Sequence, residues 1–85
     1  MKKNYALHIE YNTHKNGYVE SRTVFHLTAN EVKSLVDDEK QKERVTKDYD
    51  YVIFELFELL PGFDENLDEL WSVNNEFSKS VGKIN

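Results

Sequence analysis

The first 28 residues alternate between apolar and polar side chains with the period of two that is typical of β-strands. Tyr5, Leu7 and Ile9 share one side of a first run, and Phe25 and Leu27 share one side of a second run. The two runs are separated by turn-forming residues. The pattern therefore predicts an antiparallel β-hairpin at the N-terminus.

The turn of this hairpin is marked by an Asn-Gly dipeptide that ends at Gly17, a strong signal for a tight hairpin turn. A two-residue loop at the dipeptide would divide the apolar residues between both faces of the sheet. A three-residue loop, with Gly17 in the left-handed region, collects them on one face and gives the other face an ion pair. We therefore predict this loop. The predicted pairs are Tyr5 with Leu27, Leu7 with Phe25 and Glu10 with Arg22.

A first helix is predicted directly after the hairpin. Thr28 and Glu31 have the spacing of a capping box, in which each side chain accepts a hydrogen bond from the other residue's backbone N–H. The apolar stripe that follows stops early, and the next residues are wholly polar. The helix is therefore expected to begin at Thr28 and to end either near Lys40 or near Val45.

Two further helices are indicated by the second half of the chain. An apolar run over residues 49–60, closed by Pro61-Gly62, predicts a central helix. A strand over residues 51–56 is the open alternative, since a short apolar run rich in aromatics fits both periods. Asp64 is expected to cap a third helix. The apolar positions of that helix are Leu67, Leu70, Trp71, Phe77 and Val81.

Together these elements predict one α+β domain over residues 1–85, with an N-terminal antiparallel β-hairpin packed on two or three α-helices. A two-stranded sheet is only marginally stable. The edge of the hairpin is therefore expected to pair with a third strand or with a second copy of the chain. A homodimer through this edge is one of these two alternatives.

Composition removes several classes of protein. The 85 residues contain no cysteine, which excludes disulfide frameworks and thiolate zinc sites. The longest apolar run is far shorter than a membrane-spanning helix, and the first residues lack the apolar region of a secretion signal. We therefore expect a cytoplasmic protein with no membrane association.

Charge is divided unevenly along the chain. Residues 1–47 hold nine Lys/Arg and seven Asp/Glu, whereas residues 48–85 hold nine acids and two lysines. No basic residue lies between Asp48 and Ser78, although seven aromatic residues do. Such a segment repels DNA and RNA, whose binding depends on cations that meet phosphates. It is suited to a basic protein partner, because a surface of one sign accelerates encounter with the opposite sign.

Candidate catalytic chemistry is sparse. His8, His26 and Glu10 fall near one another on the polar face of the predicted hairpin, which is the residue set of a two-histidine, one-carboxylate metal site. Glu10 is also explained by a pair with Arg22, and both histidines are explained as surface residues. The serines lack any nucleophile motif. We therefore expect no catalytic residue, no metal and no cofactor.

The start of the third predicted helix is acidic. Asp64, Glu65, Asp68 and Glu69 lie in its first turns, where the helix dipole favours anions. Stabilisation of the helix explains part of this pattern. It does not explain the absence of cations over thirty residues, which favours a binding surface.

A local resemblance to a known family lies in the same segment. Residues 60–71 read LPGFDENLDELW and resemble the signature of barstar-type ribonuclease inhibitors, in which Leu-Pro and an aromatic pair precede Glu-Asn-Leu-Asp-x-Leu-Trp. In that family the positions of Asn66, Asp68 and Trp71 belong to the helix that faces the enzyme, so the resemblance implies an inhibitory face. The chain has Ser72 where the family has an aspartate that enters the nuclease active site. Whether Trp71 is a core or an interface residue stays open.

These observations predict a non-catalytic acidic module that masks a basic surface of a nuclease or another nucleic-acid-acting protein. Inhibitors, antitoxins and phage anti-defence proteins act in this way, as nucleic-acid mimics. One alternative is a structural or regulatory homo-oligomer, and a less favoured one is a small metal-dependent or acid–base enzyme that uses His8, His26 and Glu10. The predicted partner-binding residues are Asp64, Glu65, Asn66, Asp68, Glu69 and Trp71.

Overall fold

A computed structural model of the chain describes residues 4–42, 47–63 and 78–84. These residues form one four-stranded antiparallel sheet with the strand order β2-β1-β3-β4, and one helix packs on it. The elements are β1 (Asn4–Thr13), β2 (Gly17–Leu27), α1 (Ala29–Gln41), β3 (Tyr51–Leu59) and β4 (Ser78–Ile84).

Strand β1 lies in the interior of the sheet and is buried on both faces. Its neighbours are β2 on one side and β3 on the other. Leu7 and Ile9 face α1, whereas Ala6 lies on the opposite face, and all three are fully buried. The core is therefore divided by the sheet. The larger cluster comprises Leu7, Ile9, Tyr11, Leu27, Val32, Val36 and Phe54, and the smaller one comprises Ala6, Phe57 and Leu59 with Phe25 and Phe63 packed against them.

The predicted central helix over residues 49–60 is wrong, and its open alternative is right. Tyr51–Leu59 is strand β3, which pairs with β1 along its whole length. Phe54 is buried on the face that carries α1, and Phe57 is buried on the other face. Because both faces of this strand are covered, apolar residues follow one another without alternation. The sequence pattern therefore fits a buried helix equally well.

The predicted third helix is wrong over its last part. Ser78–Ile84 is strand β4, which pairs antiparallel with β3, and Val81 is exposed there rather than packed on a helix. The rest of that prediction falls on residues 64–77, outside the described residues. A hairpin on two or three helices is therefore replaced by a small α+β domain, in which the hairpin belongs to a larger sheet. The open edge of the hairpin pairs with a third strand, β3.

The left-handed conformation of Gly17 is confirmed, but the predicted loop over residues 15–17 is wrong, since Gly17 pairs with Thr13 and the loop spans residues 14–16. Gly17 has a φ of 68°, in the left-handed region that glycine adopts without strain. Tyr5 pairs with Leu27 as predicted, whereas Leu7 pairs with Val24 instead of Phe25. The difference begins at the turn, where Thr13 pairs with Gly17, and two register shifts along the hairpin restore the predicted register only at Tyr5. An extra residue in one strand moves all following pairs by one position.

The start of α1 is as predicted. The Thr28 side chain accepts a hydrogen bond from the Glu31 N–H at 3.2 Å, and the Glu31 carboxylate accepts one from the Thr28 N–H at 2.9 Å. The second bond is the main cause that lowers the pKa of Glu31. Leu27 and Val32, on either side of the box, are both buried. The helix ends at Gln41, close to the nearer of the two predicted ends.

Among the described residues, the search for a membrane-spanning helix found none of sufficient length and apolarity.

Replacing Thr28 by Ala should lower the free energy of unfolding by about 1 kcal/mol, because the N–H of Glu31 loses its acceptor. Thr28→Ser keeps the hydroxyl and is the matched control. Chemical denaturation of both variants measures the difference. Equal stability of the two variants would show that the capping hydroxyl does not stabilise α1.

Candidate functional site

A row of polar side chains crosses all four strands on the sheet face away from α1. Thr23 of β2 is opposite His8 of β1, His8 is opposite Glu55 of β3, and Glu55 is opposite Lys83 of β4. We call Thr23, His8, Glu55 and Lys83 the polar row. His8 is 6% exposed, so its ring lies inside the protein. This row is the candidate site with the most varied chemistry in the described structure.

The imidazole of His8 bridges a hydroxyl and a carboxylate. Its Nδ1 lies 3.0 Å from the Thr23 Oγ1, and its Nε2 lies 3.5 Å from a carboxylate oxygen of Glu10. Glu55 accepts a hydrogen bond of 3.1 Å from the Ser80 hydroxyl. A carboxylate, an imidazole and a hydroxyl in this order can exchange protons. No group of three His, Asp or Glu residues in the described ranges is placed to hold a metal ion.

The candidate enzyme residues from the sequence are only partly brought together. His8 and Glu10 are neighbours, but His26 lies apart, with its Nδ1 3.0 Å from the side-chain nitrogen of Asn4. His26 is exposed, as predicted for a surface histidine, whereas that prediction is wrong for His8. The predicted pair of Glu10 with Arg22 is also wrong. Arg22 is opposite Ile9, and its side chain therefore lies on the face that carries α1.

A second polar cluster lies between α1 and the sheet. We call Glu39, Arg22, Tyr11 and Lys42 the Glu39 network. The Glu39 side chain is fully buried; it pairs with the Arg22 guanidinium, and it accepts hydrogen bonds of 3.0 Å from both the Tyr11 hydroxyl and the Lys42 ammonium. The Tyr11 hydroxyl in turn accepts from Arg22 Nε at 3.1 Å. These bonds fasten the last turns of α1 to β1 and β2.

The charge of Glu39 is stabilised by its donors. Burial by itself would raise the pKa of its carboxyl, but the hydrogen bonds from its three donors outweigh burial and hold that pKa below the ordinary value. The pKa of Arg22 is raised, first through its hydrogen bond with Tyr11. A buried, fully paired carboxylate of this kind positions secondary structure. We therefore assign the Glu39 network a structural role.

The spacing of Glu39 in the sequence indicates that it is buried, although its charge is typical of an exposed residue. Val32, Val36 and Glu39 follow one another at intervals of four and three residues, which places them on one stripe of α1. All three are buried. The stretch after Asp37 was expected to be solvated because it is wholly polar, and this expectation is wrong at Glu39.

Two open grooves run beside α1. One has a volume of about 250 Å³ and lies toward β4, with Val32, Val36 and Ile84 among its lining residues. The other has a volume of about 380 Å³ and lies along β2, with Val24 and Leu35 among its lining residues. Neither groove contains a residue of the polar row. Both are shallow apolar surfaces suited to a protein contact.

The partner-binding residues predicted from the sequence lie outside the described residues. They are Asp64, Glu65, Asn66, Asp68, Glu69 and Trp71.

Replacing His8 by Ala should lower the free energy of unfolding by about 2 kcal/mol, because a buried hydrogen-bonding group is lost beside Thr23 and Glu10. His26→Asn is the control, since asparagine tolerates the positive φ at that position. It should change the stability by less than about 0.5 kcal/mol. Urea denaturation of the two variants measures both effects, and equal losses would contradict the difference in burial.

The Glu39 network predicts an acid-sensitive contribution to stability. Since the pKa of Glu39 is lowered in the folded state, its stabilisation is fully present above the unfolded-state value, near 4.5, and is lost as the pH falls through the folded-state value. Glu39→Gln should cost about 2 kcal/mol at pH 7. This cost should shrink below about pH 4.5.

The control for this experiment is Asp38→Asn, which neutralises an exposed carboxylate on the same helix. It should show little cost at either pH. Denaturation curves of the two variants and the parent at several pH values provide the comparison. A cost of Glu39→Gln that is the same at pH 7 and at pH 3 would show that the charge of Glu39 does not stabilise the fold.

Comparison of the chain with protein-family models, with curated proteins and with solved structures gave no match. The assignment of a function therefore rests on the residues themselves.

Proposed function

We propose that the chain is a non-catalytic, cytoplasmic protein-binding module that uses its acidic second half to cover a basic surface of a nuclease or another nucleic-acid-acting protein. The observation that carries this proposal is the position of the two lysines of that half. Lys83 is directly opposite Glu55, and Lys79 is directly opposite Glu58, across β3 and β4. Opposite charges at such positions attract each other.

The acids of the second half outnumber its lysines. Residues 48–85 contain nine acids and two lysines, and both lysines lie opposite acids of β3. Asp50, one of the remaining seven, accepts a hydrogen bond of 2.6 Å from the His14 N–H. Five of the others belong to residues 64–77. The sequence of that segment contains no lysine or arginine, and such a single-sign segment attracts a partner of opposite sign.

The buried carboxylate and imidazole also favour binding over catalysis. Glu39 is enclosed by donors from its own chain, and His8 is 6% exposed. A general acid or base has to come within hydrogen-bond distance of the substrate. The enzyme alternative requires such access for His8.

The test compares two neutralised variants that carry the same total charge. Asp68→Asn with Glu69→Gln removes two charges from the predicted binding segment, and Asp37→Asn with Asp38→Asn removes two from the exposed side of α1. The probe is a purified bacterial ribonuclease of the class that barstar-type inhibitors bind. Stopped-flow mixing at several salt concentrations measures association, and inhibition of RNA cleavage measures masking.

We expect the variant with Asp68→Asn and Glu69→Gln to associate several-fold more slowly at low salt than the variant neutralised on α1. This difference should shrink as salt screens the charges. The parent should inhibit RNA cleavage. Equal association rates of both variants at all salt concentrations would refute the acidic segment as the binding surface. Absence of binding and of inhibition by the parent would refute the ribonuclease as the partner class.

A further inference from the structure

The two outer strands of the described sheet differ in how they are protected against pairing with another chain. Strand β4 carries Lys79 and Lys83 and no acidic residue, and its pairing with β3 is irregular. Lysines and bulges on an outer strand discourage edge-to-edge pairing, and two such strands would bring only like charges together. Strand β2 has eleven residues and contains no lysine. Its pairing with β1 is shifted near both ends, but residues 20–24 between the shifts are regular, and this part of its outer edge carries no lysine or bulge.

The charges of β2 are complementary to themselves. Glu20 and Arg22 lie on either side of Ser21. An antiparallel pair of two β2 strands, related by a two-fold axis at Ser21, places each Glu20 directly opposite the Arg22 of the other copy. An axis at Arg22 would instead place two arginines opposite each other. Since opposite-charge pairs stabilise a ladder and like-charge pairs destabilise it, the charges select the axis at Ser21.

We propose that two copies of the chain form a homodimer by antiparallel pairing of their β2 strands about Ser21, which joins two four-stranded sheets into one of eight strands. Residues 20–24 pair with β1 without a register shift, so the strand is regular where the axis passes. The Arg22 side chain is 42% exposed, and it therefore reaches the surface beside the Glu39 network. The pairing is symmetric and closes after two copies.

Apolar surface beside β2 also supports a dimer interface at this edge. Val24, Leu27 and Leu35 line the groove of about 380 Å³ between α1 and this strand. A second copy placed along β2 brings its own strand and helix toward this groove. Apolar area that is open in one copy is then removed from water as the two strands pair.

Single cysteines test the register directly, because the chain has none of its own. Directly opposite residues of antiparallel strands have Cα atoms about 4.5–5.5 Å apart, within the range that a disulfide bridges. Ser21→Cys should therefore form a covalent dimer rapidly with oxidised glutathione. Thr23→Cys, whose two copies lie four positions apart along the strand in this register, should cross-link much more slowly. Lys33→Cys, which is exposed on α1 beside the groove toward β4, is the control.

Charge reversal tests the affinity without a cross-link. Glu20→Lys should raise the dissociation constant of the dimer roughly ten-fold, since a repulsive pair replaces an attractive one at two symmetric positions. Asp37→Lys changes the same charge beside the groove toward β4 and should have no such effect. Glu20 also accepts a hydrogen bond from the Tyr49 hydroxyl. Tyr49→Phe removes that bond alone and should leave the dimer intact.

Sedimentation velocity over a range of concentrations measures the dissociation constants. Two outcomes would overturn the homodimer: a parent that remains monomeric up to about 1 mM, or Ser21→Cys that cross-links no faster than Lys33→Cys. A dimer that is unaffected by Glu20→Lys would overturn the register. None of these outcomes bears on the ribonuclease experiment, because the variants tested there lie outside β2.

Discussion

The structure depends on the burial of β1 on both faces. Every side chain from Ala6 to Ile9 is almost completely removed from water, so each face of this strand needs its own cover and each edge needs a partner strand. Apolar burial of this kind is the main favourable term in folding. On one face α1 supplies the cover, and the Glu39 network fixes where the end of the helix lies. On the other face, the small apolar cluster lies beside the polar row. His8 is therefore buried although its neighbours in the row are polar.

The elements that were predictable from the sequence are those set by local chemistry. The capping box at Thr28 requires only two residues three positions apart, and the turn at Gly17 requires only a backbone conformation that other residues avoid. The register between these two signals was not predictable, because each shift inserts one residue without an identifiable sequence mark. Strand β3 was hidden for a different reason. Its two-sided burial removes the alternation from which a strand is recognised.

The contacts in the candidate sites likewise divide into those that follow from local strand geometry and those that depend on tertiary packing. His8 and Glu10 are two positions apart on one strand, so their proximity follows from strand geometry alone. The contact of Arg22 with Glu39 joins β2 to the far end of α1, and it arises from the packing of the helix on the sheet. Without the position of α1, the sequence alone favoured a pair of Arg22 with Glu10 across the hairpin. Because α1 packs on the sheet, Arg22 pairs with Glu39 on the sheet face that carries the helix. Glu10 lies beside His8 on the opposite face.

The two lysines of β4 connect the charge distribution with the edges of the sheet. Lying opposite Glu55 and Glu58, they balance the only acids that the interior strand β3 carries. Lying on an outer strand, they also discourage a second chain from adding to that side. The same two residues therefore balance the charge of β3 and protect its side of the described sheet, whereas β2 carries no lysine. The acidic segment that we propose for partner binding and the β2 edge that we propose for dimerisation consist of different residues, so the two proposed contacts do not compete for the same side chains.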